Sequence, residues 1–134
     1  GLSLTGVQIM LYEENIFKYA ENYFHKVKEA WKLDFDATED DFDIATDYLY
    51  GGYNVPSETV RNAIYDMARS EAIVLDPCYT GKTYAALLDM IEQEKIQKGE
   101  TVIFIHTGGL PGVYTPSHQM AFENELMDDV SILA

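Results

Sequence analysis

Gly81-Lys82-Thr83 lies between an apolar run and a helical stretch, where a nucleotide-binding P-loop would end. Such a loop needs a glycine five positions before Gly81, so that bare amides can cradle phosphate. That position is Asp76, followed by Pro77, so a carboxylate and a residue without an N–H stand where amides are needed. Nucleotide binding is set aside. What survives is an expectation that free N–H groups at the start of the Gly81 helix face a polar ligand atom. A second turn, His106-Thr107-Gly108-Gly109, carries an imidazole that could pair with the thiol of Cys78, although a lone free cysteine is more commonly a buried structural residue. There is no GxSxG elbow, no HExxH pair and no second cysteine. From Asp34 to Asp47 come seven acids in fourteen positions. Thr38 occupies the third slot of what would be a calcium loop and no glycine follows, so no metal site is expected. Tyr48, Tyr50 and Tyr53 flank Gly51-Gly52 and are expected to pack and hydrogen-bond.

These residues need a scaffold, and the hydrophobic period supplies one. Val7 to Leu11 is a short apolar run, expected to be a strand feeding an amphipathic helix with Ile16, Phe17, Ala20, Tyr23, Phe24, Val27, Ala30 and Trp31 at helical spacing. The opposite face of that helix holds Lys18, Glu21, His25, Lys28 and Glu29, which places His25 on the surface. Residues 34–50 form an acidic connection, pinned by Phe35, Phe42 and Ile44. Pro56 forces an extended predecessor, and Ser57 is the expected N-cap of a helix with Val60, Ile64, Met67 and Ala68 on one face, ending near Ser70. Ile73-Val74-Leu75 and Thr101 to Ile105 are expected to be buried strands. Between them runs a helix from Gly81 that buries Ala85, Leu87, Leu88 and Ile91 and stops around Lys95, Lys98 and Gly99. Helices alternating with apolar strands imply an α/β domain of three layers around a mostly parallel sheet. Both glycine-containing turns follow strands, so they share the rim where such sheets bind ligands. Residues 113–134 form a C-terminal tail, with Phe122, Leu126 and Val130 at helical spacing.

The balance of charges narrows the partners. With 9 basic and 23 acidic residues among 134, the net charge is −14. This field repels phosphate backbones and anionic lipid, and no local basic stripe offsets it, so nucleic acid and membrane surfaces are set aside as partners. At 47% hydrophobic and 13% aromatic content, the chain has enough apolar material to fold as a single domain. No run approaches the ~18 apolar residues that cross a bilayer. One cysteine fits a reducing, cytoplasmic compartment.

Three segments also carry a family likeness. Gly52-Tyr53-Asn54-Val55-Pro56, Leu75-Asp76-Pro77-Cys78-Tyr79-Thr80-Gly81-Lys82 and Phe104-Ile105-His106-Thr107-Gly108-Gly109, in this order and spacing, resemble the C-terminal portion of D-cysteine desulfhydrase and 1-aminocyclopropane-1-carboxylate deaminase enzymes. The resemblance spans about Val7 to Gly112. It implies a pyridoxal 5'-phosphate enzyme of tryptophan synthase β-like fold, acting on a small amino acid. By that likeness Tyr79 packs beside the cofactor ring and assists proton transfer, Tyr53 lies in the substrate pocket, and Thr80 and Thr107 stand near the pyridine nitrogen. Gly108 then lies in the cofactor-binding turn.

The deaminases usually carry Glu at the Thr80 position and Leu at the Thr107 position, which puts this chain nearer the desulfhydrase branch. A hydroxyl beside the nitrogen leaves the ring neutral, a milder electron sink that suffices for expelling sulfide. The likeness places the cofactor-linking lysine, the loop that holds the substrate carboxylate and the phosphate loop upstream of Gly1; Lys82 matches a different lysine. The expectation is thus a C-terminal part of a larger homodimeric enzyme, whose other half completes the site and without which the chain is inactive. A deaminase or racemase acting on another amino acid, and a non-catalytic remnant serving as an interaction module, are the alternatives.

Overall fold

The computed structural model of the chain describes residues 2–127. Strand β1 (Thr5–Val7) leads into helix α1 (Ile16–Trp31), and the chain returns to β2 (Asp43–Ala45). The strands pair in parallel, with Thr5 opposite Asp43 and Val7 opposite Ala45. Parallel neighbours require a crossover, and α1 is that crossover. Asn15 caps it, its side-chain oxygen accepting from the Phe17 N–H at 2.9 Å. The acidic connection folds back along α1: Phe24 meets Phe35 with ring centroids 5.4 Å apart, and Asp36 accepts from Lys28 at 2.7 Å. The Lys28 ammonium holds the Asp36 carboxyl below its usual range. His25 is exposed beside it, as its place on the polar face requires.

Helices α2 (Glu58–Glu71) and α3 (Thr80–Glu92) pack against each other to build the core. Val60, Ile64, Met67 and Leu75 form its centre, with Tyr50, Tyr84, Phe104 and Phe122 against them. The close approach of the two helices depends on Gly81. A Cβ there would lie 2.5 Å from the Asp76 carbonyl oxygen and 3.1 Å from side-chain carbons of both Val60 and Ile64. Helix α4 (Pro116–Leu126) meets α2 through side chains: Glu125 accepts from Arg61 and from the Tyr65 hydroxyl, and Phe122 sits edge-on to Tyr65. These contacts supply the packing partner for Phe122 in the tail; Leu126 is largely exposed, and Val130 lies outside the described residues.

The structure corrects several local expectations. Residues 73–75 and 101–105 belong to no regular element and join no ladder, and only Leu75 is buried. A strand exists only where a neighbour takes its N–H and C=O groups, and among the described residues none lies alongside either run. The first strand occupies Thr5–Val7 rather than residues 7–11. Ser57 is the N-cap of α2, but its side chain makes no capping bond. Helix α3 ends at Glu92, because Glu94 turns into the left-handed region (φ 56°) and the N–H of Lys95 returns to the Met90 carbonyl. Leu88 and Ile91 are exposed on its second half, where none of the described residues covers them.

His118, in the first turn of α4, is fully buried, and neither ring nitrogen has a hydrogen-bond partner among the described residues. Burial, reinforced by the nearby Arg61 cation, pushes its pKa below the ordinary imidazole value. A group with a depressed folded pKa contributes stability above its unfolded pKa of about 6.5 and loses it as pH falls through the folded one. The urea midpoint is therefore expected to drop between pH 8 and pH 5, and His118→Leu to flatten that slope. An unchanged slope in the variant would place the pH dependence elsewhere.

Candidate active site

The turn before α3 is organised by one carboxylate. Asp76 is fully buried, and its Oδ2 accepts from the N–H groups of Cys78 (2.8 Å) and Tyr79 (2.7 Å). Its Oδ1 accepts from the Thr80 N–H (2.7 Å) and the Thr80 hydroxyl (2.6 Å). The Asp76 N–H donates to the same hydroxyl at 3.0 Å, and its carbonyl accepts from Gly81 at 2.8 Å. This is helix capping begun a turn early: a carboxylate takes the orphan amides, and Pro77 adds no donor. The expectation of free N–H groups facing a ligand is narrowed accordingly, since the N–H groups of Cys78, Tyr79, Thr80 and Gly81 are all turned onto Asp76.

Two consequences follow for the predicted residues. Thr80 is brought inside, its hydroxyl proton given to Asp76, whereas Tyr79 is turned outward and is 40% exposed. Cys78 is buried as a free thiol, in keeping with the structural role, and the structure gives it no contact with His106, whose Nδ1 instead accepts from the Gly108 N–H at 3.2 Å. The second turn docks on the same carboxylate through Gly109 (φ +93°), where a Cβ would fall 2.6 Å from Cγ of Asp76. Thr107 is exposed beside it, and a Cβ at Gly108 would meet nothing within 4 Å. One buried acid thus sets both turns of the rim.

Tyr53 arrives from the third segment. Its hydroxyl lies 2.6 Å from that of Tyr79, with the rings edge-on at 6.0 Å. The hydrogen bond with Tyr79 pushes the Tyr53 pKa up to about 12, so the phenol stays protonated at neutral pH. Reaching this position requires left-handed backbone at Tyr50 (φ 48°), Gly51, Gly52 and Asn54 (φ 55°); the two non-glycine residues each cost about 1–2 kcal/mol. Tyr48 is buried and donates to Asp89 on α3 at 2.8 Å. Lys82 is also fully buried, and its Nζ donates to the carbonyls of Ile9, Leu49 and Gly52. Burial pushes its pKa down.

The structure exposes Tyr53, Tyr79 and Thr107 and leaves Gly108 half-buried; sequence reasoning named these four but missed the parts played by Asp76 and Lys82. The Asp-Pro pair before a helix start was the available signal for Asp76. Among the described residues, no group of His, Cys, Asp and Glu is placed to hold a metal ion, and no helix is long and apolar enough to cross a membrane.

A sequence model of pyridoxal-phosphate dependent enzymes matches residues 12–108. Among solved structures, one described as an ACC deaminase homologue is similar with a TM-score of 0.70 and 25% sequence identity, over 92% of this chain and 34% of that one. The chain spans about a third of that protein's length. The α/β arrangement described above corresponds to part of that fold.

Asp76→Asn preserves shape but turns an amide donor toward backbone N–H groups. It is expected to lower the unfolding free energy by about 1–3 kcal/mol, measured by urea denaturation. Gly109→Ala is expected to be destabilising as well, because the added Cβ strains a positive φ and collides with the carboxylate. Midpoints equal to that of the parent chain in both variants would contradict the organising role of Asp76.

Proposed function

The chain belongs to the pyridoxal-phosphate dependent enzymes, and on that premise we propose that it forms one wall of the active site of a D-cysteine desulfhydrase, which converts D-cysteine and water to pyruvate, ammonia and sulfide. The Tyr53–Tyr79 hydroxyl pair on an exposed rim carries this reading. The residues present fit one side of a pyridine ring. Tyr79 offers an exposed aromatic ring, Thr107 a free hydroxyl, and Gly108 open space. They do not fit its phosphate or its covalent link, because Asp76 has taken the amides of Tyr79 and Thr80 at the entry to α3 and Lys82 is enclosed by carbonyls. Those parts of the site are assigned to a further, lysine-bearing portion of a homodimeric enzyme in a reducing cytoplasm.

When bound, the cofactor supplies an electron sink for charge developing at the substrate α-carbon. The chain's own residues tune and serve it. A neutral ring nitrogen needs a donor, and of the two threonines only Thr107 has its proton free, since Thr80 gives its own to Asp76. Asp76 itself is buried and saturated, so it offers no acid to the ring. That favours a mild sink, suited to a good leaving group such as sulfide. Tyr53 and Tyr79 share one proton between their oxygens and keep the other available to the substrate side.

The ACC deaminase homologue among the structural matches supports a second reading, an aminocyclopropane-carboxylate deaminase or related amino-acid deaminase or racemase. The two are separated in the full-length enzyme. Thr107→Leu should reduce sulfide release from D-cysteine at least tenfold, with smaller losses on other amino acids; an unchanged amino-acid profile would refute the pyridine contact of Thr107. The 134-residue chain alone, incubated with pyridoxal phosphate and reduced with borohydride, is expected to show no stoichiometric lysine adduct and to release no pyruvate from D-cysteine. A single labelled lysine together with turnover would overturn the one-wall account.

A further inference from the structure

Lys82 stands out among the buried groups because, among the described residues, its ammonium has no acid beside it. All its hydrogen-bond partners are main-chain carbonyls: Ile9 at 3.1 Å, Leu49 at 2.8 Å, and Gly52. An ammonium has three donors, and here there are three acceptors, so every proton is placed. Those acceptors come from two separate segments, one after β1 and one spanning the left-handed turn that ends in Tyr53. The lysine itself is in the first turn of α3, three residues after Tyr79.

We propose that Lys82 is a positioning residue for the tyrosine pair, bolting the Tyr53 turn to the start of α3 so that the two hydroxyls meet. The geometry forces this division of labour. Gly52 immediately precedes Tyr53, so the bond to its carbonyl fixes the backbone from which the Tyr53 ring departs. The Leu49 bond holds the opposite end of the turn, which keeps Tyr50 and Asn54 in a conformation they would otherwise leave. Tyr79 is set independently by Asp76, so Lys82 and Asp76 each orient one phenol. A methionine of similar volume would fill the space without donating, and the turn would relax.

This inference rests on the reading that the Tyr53–Tyr79 pair faces the reacting atoms, but its test needs neither cofactor nor substrate. The readout is the ionised fraction of Tyr53 at pH 10.5, from the 13C resonance of its phenol carbon, assigned with Tyr53→Phe. In the parent chain, where the pair pushes Tyr53 up to about 12, only a few per cent is expected to be ionised. In Lys82→Met the fraction should rise more than tenfold, toward the value for a free phenol with a pKa of about 10. Tyr65, held up at about 12 by burial and Glu125, reports whether the fold survives. An unchanged Tyr53 in Lys82→Met overturns the proposal, as does a parent chain in which Tyr53 ionises freely. Should the variant lose both signals by unfolding, native amine labelling of the parent chain decides. Lys82 is expected to react with acetic anhydride at least tenfold more slowly than exposed Lys26, and equal rates would overturn the proposal.

Discussion

A carboxylate buried away from water is tolerable only if its lone pairs are filled, and Asp76 fills them from Cys78 and Tyr79, which lead into α3, and from Thr80, its first residue. This constraint shapes the rest of the rim. It spends the positive end of the helix on an internal anion, leaving no role there for an external one. It draws Thr80 inward and, because successive residues of a helical turn point in different directions, sends Tyr79 outward. It also leaves room for only a glycine where the second turn passes, which seats Gly109 and sets Thr107 and Gly108 beside it.

Tyr53 depends on a different kind of satisfaction. A turn with several positive φ values is held by an ammonium that reads only backbone oxygens, so its shape depends less on the side chains around it than on the path of the main chain. The two anchors are complementary. One is an anion satisfied by N–H groups, the other a cation satisfied by C=O groups, and both belong to the start of α3. Between them they bring together three segments separated by tens of residues, which is how a short chain presents a shaped rim although much of its apolar surface, including Val102, Ile103 and Ile105, remains exposed.

What could be read in the sequence follows from how local each cause is. Helices α1 and α2 were legible because their apolar positions repeat along the chain, and the outward tyrosines because their segments carry a family likeness that the match over residues 12–108 bears out. The runs 73–75 and 101–105 look like strands in composition, yet strand formation depends on a neighbour that composition does not reveal. The capping role of Asp76 was hidden by its resemblance to a failed phosphate loop. The burial of Lys82 and His118 could not be seen at all, since the groups that enclose them are distant in sequence. Thr80 shows the limit of transfer by likeness: the motif locates the residue, but only the structure shows where its proton goes.

The central claim is that the Asp76 carboxylate, rather than any ligand, holds the amides that open α3. Amide hydrogen exchange at Cys78, Tyr79 and Thr80 in the ligand-free chain tests it most directly. If the account is right, these three amides open only with the whole fold, with the same protection as core amides of α2 such as that of Ile64. Exchange close to the rate of unstructured peptide, with Ile64 still protected, would contradict it.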